Sequence, residues 1–190
     1  MSVESFSFLF GVFALLCWVG VLGVVVSVVG ARSGEGPLVR LRSDLGRVAL
    51  PLAWIVALVT TAGSLYYSKV QGYVPCELCW YQRIIVYPFS VILGIAAWRR
   101  DSSVRIYAIP VLCIGVVIAT YHSIIQWWPP SSGTSFCSAD VPCTLKYVNE
   151  FGFVTLPFMA LSAMAVIIAL LSISRYDDAE VLVEEVEVTP

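Results

Sequence analysis

The chain of 190 residues is 59% hydrophobic and 13% charged, with a mean hydropathy of +0.87, whereas an ordinary soluble domain carries about 25% charged residues. Its formal net charge is -2, from 11 basic and 13 acidic side chains. These values exclude a soluble globular domain and leave no basic footprint for nucleic acid; they describe a protein of the lipid bilayer.

Crossing the hydrocarbon takes about 20 mostly apolar residues, and five charge-poor intervals meet that length. The first runs from Ser5 to Ala31. Its only early charge is Glu4 and its apolar run continues to Val29, so it lacks the basic start and short core of a cleaved signal peptide and predicts a retained helix. No small residue precedes Cys17 closely enough to suggest lipoprotein processing there. A Gly- and Arg-rich stretch to Arg47 follows, then intervals at Val48 to Ser68, Leu78 to Trp98, Ile106 to about Trp128, and Phe151 to Ser174. The third of the five spans the bilayer only if Arg83 is admitted inside it.

The predicted fold class is therefore an all-α integral membrane protein, a four-helix transmembrane bundle with one additional N-terminal transmembrane helix. The predicted organisation is an extra helix at 1–30, a cytoplasmic linker at 31–47, the four-helix unit at 48–174 and an acidic tail at 175–190. That tail packs six acids into its last 15 residues, too few of them apolar to bury, and predicts a solvated end.

Orientation follows from Lys and Arg in short loops. Arg32, Arg40, Arg42 and Arg47 precede the second span, and Arg99, Arg100 and Arg105 lie between the third and fourth. Both segments are predicted to be cytoplasmic. The N-terminus and the loops holding Lys69 and Lys146 then lie outside, and the C-terminus lies inside.

Four of the six cysteines fall on that outer face. In PCELCWYQRI, Pro75 suits the first position of a helix. A helix starting there puts Cys76 in the first turn, where the macrodipole favours a thiolate, with Glu77 opposing it modestly. Spacing of three places Cys79 on the same face as Cys76, and Arg83 lies one turn deeper on that face. Cys137 and Cys143 sit in a Pro-, Ser- and Gly-rich outer loop, where Pro142 favours a turn that brings their sulfurs together. Cys17 and Cys113 lie within spans and are predicted to pack as small apolar residues.

A cation within the bilayer is costly, although one turn below the surface Arg83 can reach water. Its alignment with Cys79 predicts stabilisation of negative charge on a thiolate or on a reduced acceptor. His122 falls at a similar depth on the fourth span and predicts hydrogen bonding or proton transfer at an acceptor site. Gln82 and Gln126 are further candidates for that site. Trp80, Tyr81, Trp127 and Trp128 fit an interfacial aromatic belt. A four-thiolate zinc site is disfavoured by the five residues between Cys137 and Cys143 and by an oxidising compartment, so no metal is predicted.

The stretches CELCWYQRI, YHSIIQ, CSADVPCTLKY and FGFVTLPF together resemble the bacterial membrane disulfide-forming oxidases of the DsbB family, most closely its BdbC-type branch. The resemblance covers about Val48 to Ser174 and leaves the first helix outside it. It implies a thiol:quinone oxidoreductase of the bacterial plasma membrane, with both cysteine pairs extracytoplasmic. A reduced thioredoxin-like dithiol oxidase would form a mixed disulfide with Cys137, whose partner would be Cys143. Electrons would pass to Cys76 and Cys79 through a transient Cys76–Cys143 disulfide, and Cys79 would donate to ubiquinone or menaquinone beside Arg83. Two alternatives stand against this. A vitamin K epoxide reductase-like enzyme is expected to carry its quinone-facing cysteines on the last helix, which here has none. A non-catalytic scaffold would use its disulfides only as staples.

Overall fold

The computed structural model of the chain describes residues 3–30, 37–130, 137 and 141–174. Among these, five helices are long and apolar enough to cross a membrane: α1 (Val3–Gly30), α2 (Pro37–Leu65), α3 (Glu77–Arg99), α4 (Arg105–Trp127) and α5 (Leu156–Ile173). No strand forms among the described residues, only an isolated bridge between Glu150 and Val154. The acidic tail and the start of the 31–47 segment lie outside the described residues, as does the stretch just before Cys137.

α2 packs on α3, α3 on α4, α4 on α5 and α5 back on α2, which closes a four-helix ring; α1 lies against α5 and α2 from outside it. Lipid tails are as apolar as leucine, so close backbone approach by small side chains, not hydrophobic collapse, holds such helices together. The chain shows this on α1, whose buried positions are Ser7, Gly11, Ala14, Cys17, Val24 and Ser27. Trp18 Nε1 also donates to Ser162 Oγ on α5 at 3.0 Å. Inside the ring, Leu93, Leu112, Met164, Ile167 and Leu171 are fully buried. Trp54 Nε1 donates to the Ser90 carbonyl at 2.9 Å, over Gly94, where a Cβ would collide with the indole.

Three boundaries differ from the sequence expectation. α2 begins at Pro37, so most of the segment expected as a linker is helix: charges that forbid a place in hydrocarbon do not forbid a helical turn outside it. α2 then continues into a π-helical turn over Tyr66–Val70. α3 begins at Glu77, with Cys76 as its N-cap in extended conformation (φ -71°, ψ 172°). Pro75 thus stands ahead of the helix, because the Cys76 carbonyl itself accepts the first helical bond, from Trp80 N–H at 3.1 Å.

At the other end of the bundle, Arg105 Nη1 donates to the Ser174 carbonyl at 3.2 Å and satisfies an orphan acceptor beyond α5. Cys17 is buried as expected, but Cys113 is exposed on the outer face of α4. Its position within a span placed it at membrane depth without fixing which side of the helix it occupied.

Candidate active site

The cysteines of the two predicted pairs converge. Cys137 and Cys143 form a disulfide, while Cys76 and Cys79 are free thiols. Cys76 and Cys143 are buried in one apolar cluster with Leu78 and Ile125, and Cys79 and Cys137 pack against it. Two elements that are remote in sequence hold this arrangement. The end of α4 approaches the loop from below, and Tyr147 ties the loop to the strand-like segment before α3: its hydroxyl donates to the Val74 carbonyl at 3.1 Å and its ring stacks on Tyr73 at 4.6 Å.

His122 sits between the two pairs, fully buried. Its Nδ1 is 3.0 Å from Gln82 Nε2, which is always a donor, so Nδ1 is the accepting nitrogen and the proton resides on Nε2. That Nε2–H faces the Cys143 carbonyl oxygen at 3.1 Å and Cys76 Sγ at 3.7 Å. Gln126 Nε2 donates to the Leu145 carbonyl at 3.0 Å and to the Cys143 carbonyl at 3.4 Å. Two α4 side chains therefore fix the backbone on which Cys143 is carried.

Cys76 Sγ lies 3.1 Å from Cys79 Sγ. The hydrogen bond with Cys79, and after it the hydrogen bond from His122, outweigh burial and hold the Cys76 thiol well below the ordinary thiol range. The macrodipole expectation is modified accordingly: the Cys76 side chain makes no capping bond to the α3 N-terminus. Its anion is supported first by the Cys79 and His122 side chains, with a smaller contribution from the Cys79 backbone N–H in the first turn of α3.

Two cavities adjoin the thiols. One of about 20 Å³ lies beside Cys76 and Cys79 and is lined also by Gln126, loop residues from Val141 to Val148, and Leu156 and Pro157 at the start of α5; it has room for a single water. Gln126 Oε1 has no hydrogen-bond partner among the described residues. The other, of about 100 Å³, opens on the far side of Cys79 and is lined by Gln82, Arg83, Ser64, Tyr67 and apolar side chains of α1 and α5. Cys79 lines both. Arg83 donates to the Ser64 carbonyl at 3.3 Å and lies 5.5 Å from the centre of the Trp80 ring.

The four candidates named for an acceptor site thus separate. Arg83 and Gln82 line the larger cavity. His122 and Gln126 do not; they gather at the junction of the cysteine pairs, because α4 approaches the loop and not the α2–α3–α5 space. Ser64, Tyr67, Phe10 and Phe13 line the larger cavity without having been singled out. Periodicity predicts no role for them, although the glycine at Gly63 marks a close approach. Cys76, Cys79 and His122 also bring three soft donor atoms within 4.8 Å of one another, one ligand short of a closed tetrahedral zinc site.

The description of the matching family model is "Disulfide bond formation protein DsbB", and it matches residues 46–174. The chain belongs to the DsbB family. "Disulfide bond formation protein C" of Bacillus subtilis is 44% identical over 133 residues, covering 70% of this chain and 96% of that one. The "Probable disulfide formation protein" of Oceanobacillus iheyensis is 45% identical over 124 residues, 64% of this chain and 84% of its own. "Probable disulfide formation protein C 1" of Bacillus anthracis is 46% identical over 113 residues, with coverages of 60% and 81%. No solved structure gives a significant match. As a DsbB-family protein with several spans, the chain is a multi-pass membrane protein of the disulfide-forming oxidoreductase machinery.

Proposed function

We propose that this DsbB-family chain is a thiol:quinone oxidoreductase that reoxidises a thioredoxin-like extracytoplasmic dithiol oxidase in a bacterial plasma membrane. Its C-terminus is cytoplasmic and its cysteine pairs face outward. The single observation that carries the reading is the position of Cys79, which packs against the buried cluster holding Cys76 and Cys143 and also lines the larger, mostly apolar cavity beside Arg83.

The order of steps follows from which sulfurs can meet. A partner thiolate attacks Cys137, breaking the Cys137–Cys143 bond and forming a mixed disulfide; Cys143 leaves as a thiolate. The partner's second thiol then resolves that bond, and the partner departs as a disulfide, two electrons and two protons poorer. Cys143 attacks Cys76 of an oxidised Cys76–Cys79 pair, which forms the interloop disulfide and releases Cys79. Both sulfurs of this exchange lie in one buried cluster. His122 Nε2–H, shared between Cys76 Sγ and the Cys143 carbonyl, holds the two together and stabilises negative charge on Cys76 as bonds change. Reduced Cys137 then attacks Cys143, which restores its own pair and returns Cys76 as the thiolate beside Cys79.

The larger cavity fits a quinone by the chemistry of its donors. Its walls are mostly apolar, it carries one guanidinium that no acidic side chain pairs with among the described residues, and Cys79 opens onto it. A bound quinone supplies the two-electron, two-proton acceptor. Arg83 stabilises negative charge at that end, and Gln82, hydrogen bonded to His122 Nδ1, connects the cavity wall to the junction.

Stopped-flow absorbance tests the proposal. Wild-type protein mixed with quinone and a reduced thioredoxin-like dithiol is expected to consume quinone, and Cys79→Ser to consume none. Absence of quinone loss with every reduced donor, while the outer cysteines stay paired, would contradict it and leave the stapled scaffold.

A further inference from the structure

The match to the family model begins at residue 46 and leaves the additional helix outside it. The Bacillus subtilis relative is accounted for to 96% of its length by 133 matched residues, a length that α2 to α5 and their loops already fill. Nevertheless α1 reaches the larger cavity: Phe10 and Phe13 line it together with Ser64, Tyr67, Cys79 and Arg83.

This contact is built into both helices. A Cβ at Gly63 would run into the Phe10 ring, so the ring occupies the space that this glycine leaves on α2. The Tyr67 hydroxyl donates to Ser7 Oγ at 3.1 Å in a buried bond. Phe6 stacks on Tyr66 at 3.7 Å, and Phe10 meets Tyr67 at 6.2 Å and Phe13 at 6.3 Å. Tyr66 and Tyr67 open the π-helical turn, a distortion that costs regular hydrogen bonding and recurs at functional sites. Here it falls where α2 meets the aromatic side chains of α1.

We infer that α1 is a fifth wall of the acceptor cavity, and that Phe10 and Phe13 are specificity-determining residues that contact the ring of the quinone bound beside Cys79. This rests on the acceptor reading above. Aromatic walls favour flat rings by stacking and apolar burial, and closure by α1 shields from lipid a cavity that a bare four-helix ring leaves open on that side.

The test is equilibrium binding of a short-chain benzoquinone to the full-length protein in lipid nanodiscs, read by titration, together with the labelling rate of reduced Cys79 by a lipid-soluble maleimide. Phe10→Ala and Phe13→Ala are each expected to weaken binding about tenfold and to speed Cys79 labelling. Phe8→Ala, on an exposed α1 position that packs on Phe151, is expected to change neither. Phe10→Leu keeps an apolar side chain against Gly63 and is expected to weaken binding about threefold with unchanged melting, which covers the case in which the alanine variant does not fold. Wild-type affinity in the Phe10 and Phe13 variants overturns the inference and leaves the acceptor reading standing, as does an equal loss in Phe8→Ala. A wild-type protein that binds no quinone overturns both.

Discussion

His122 Nε2 stands 3.7 Å from Cys76 Sγ, and the opposite ring nitrogen is held by Gln82 at 3.0 Å. The imidazole is thus locked with its proton toward the sulfur, where Cys76 and the backbone of Cys143 adjoin. In the proposed relay, a histidine so fixed acts on the cysteine that changes partners.

Its effect is readable as a pH profile. The lowered Cys76 thiol is a thiolate at neutral pH in the reduced protein, so its alkylation rate is expected to stay flat through the neutral range and to fall only when the pH drops through its depressed pKa. In His122→Ala the inflection moves upward. It stops short of the ordinary value of about 8.5 because the hydrogen bond with Cys79 remains. An unchanged inflection would remove His122 from the account.

Gln82→Leu leaves buried His122 Nδ1 without its donor. The expected cost is about 1–3 kcal/mol of stability, measured by denaturation in mixed micelles, accompanied by the same upward movement of the Cys76 profile as the ring loses its fixed tautomer. Loss of stability with an unmoved profile would mean that Gln82 is only structural.

Arg83→Ala is expected to lower the rate of quinone consumption about tenfold or more while leaving exchange between the partner and Cys137–Cys143 at its wild-type rate, since only an interaction with charge developing in the cavity is removed. Arg83→Lys keeps the charge and is expected to recover part of the rate. Equal slowing of both half-reactions would contradict a role confined to the acceptor side.

Gly63→Ala places a methyl group into the Phe10 ring. Overpacking of this kind costs about 1–3 kcal/mol. Unfolding in denaturing micelles is expected to show that loss, and Phe10→Ala combined with it is expected to restore most of it. Additive losses in the double variant would show that the two residues do not meet.

Charge spacing alone made the five spans legible, because hydrocarbon tolerates neither free backbone groups nor unpaired charge. The Cys76–Cys79 pair and its alignment with Arg83 were legible from helical periodicity, and the Cys137–Cys143 pair from the turn signal at Pro142. What periodicity does not encode is how helices turn toward one another. It put His122 on the fourth span but could not show that its ring meets Cys76 and the Cys143 carbonyl instead of lining the larger cavity, and it could not tell buried Cys17 from exposed Cys113. The beginning of α2 was hidden for a different reason: Arg40, Arg42 and Arg47 end the hydrocarbon-compatible interval without ending the helix. Phe10 and Phe13 read as two apolar residues among many until the packing of α1 on α2 seated Phe10 over Gly63 and set both against the larger cavity.

The relay between the pairs is the centre of the account, and peptide mass spectrometry of the Cys79→Ser, Cys137→Ser double variant tests it most directly. With both resolving thiols removed, Cys76 and Cys143 are expected to join in one interloop disulfide after mild oxidation, recovered as a cross-linked peptide pair at high yield. Recovery of Cys76 and Cys143 as separate free thiols under the same oxidation would contradict the account.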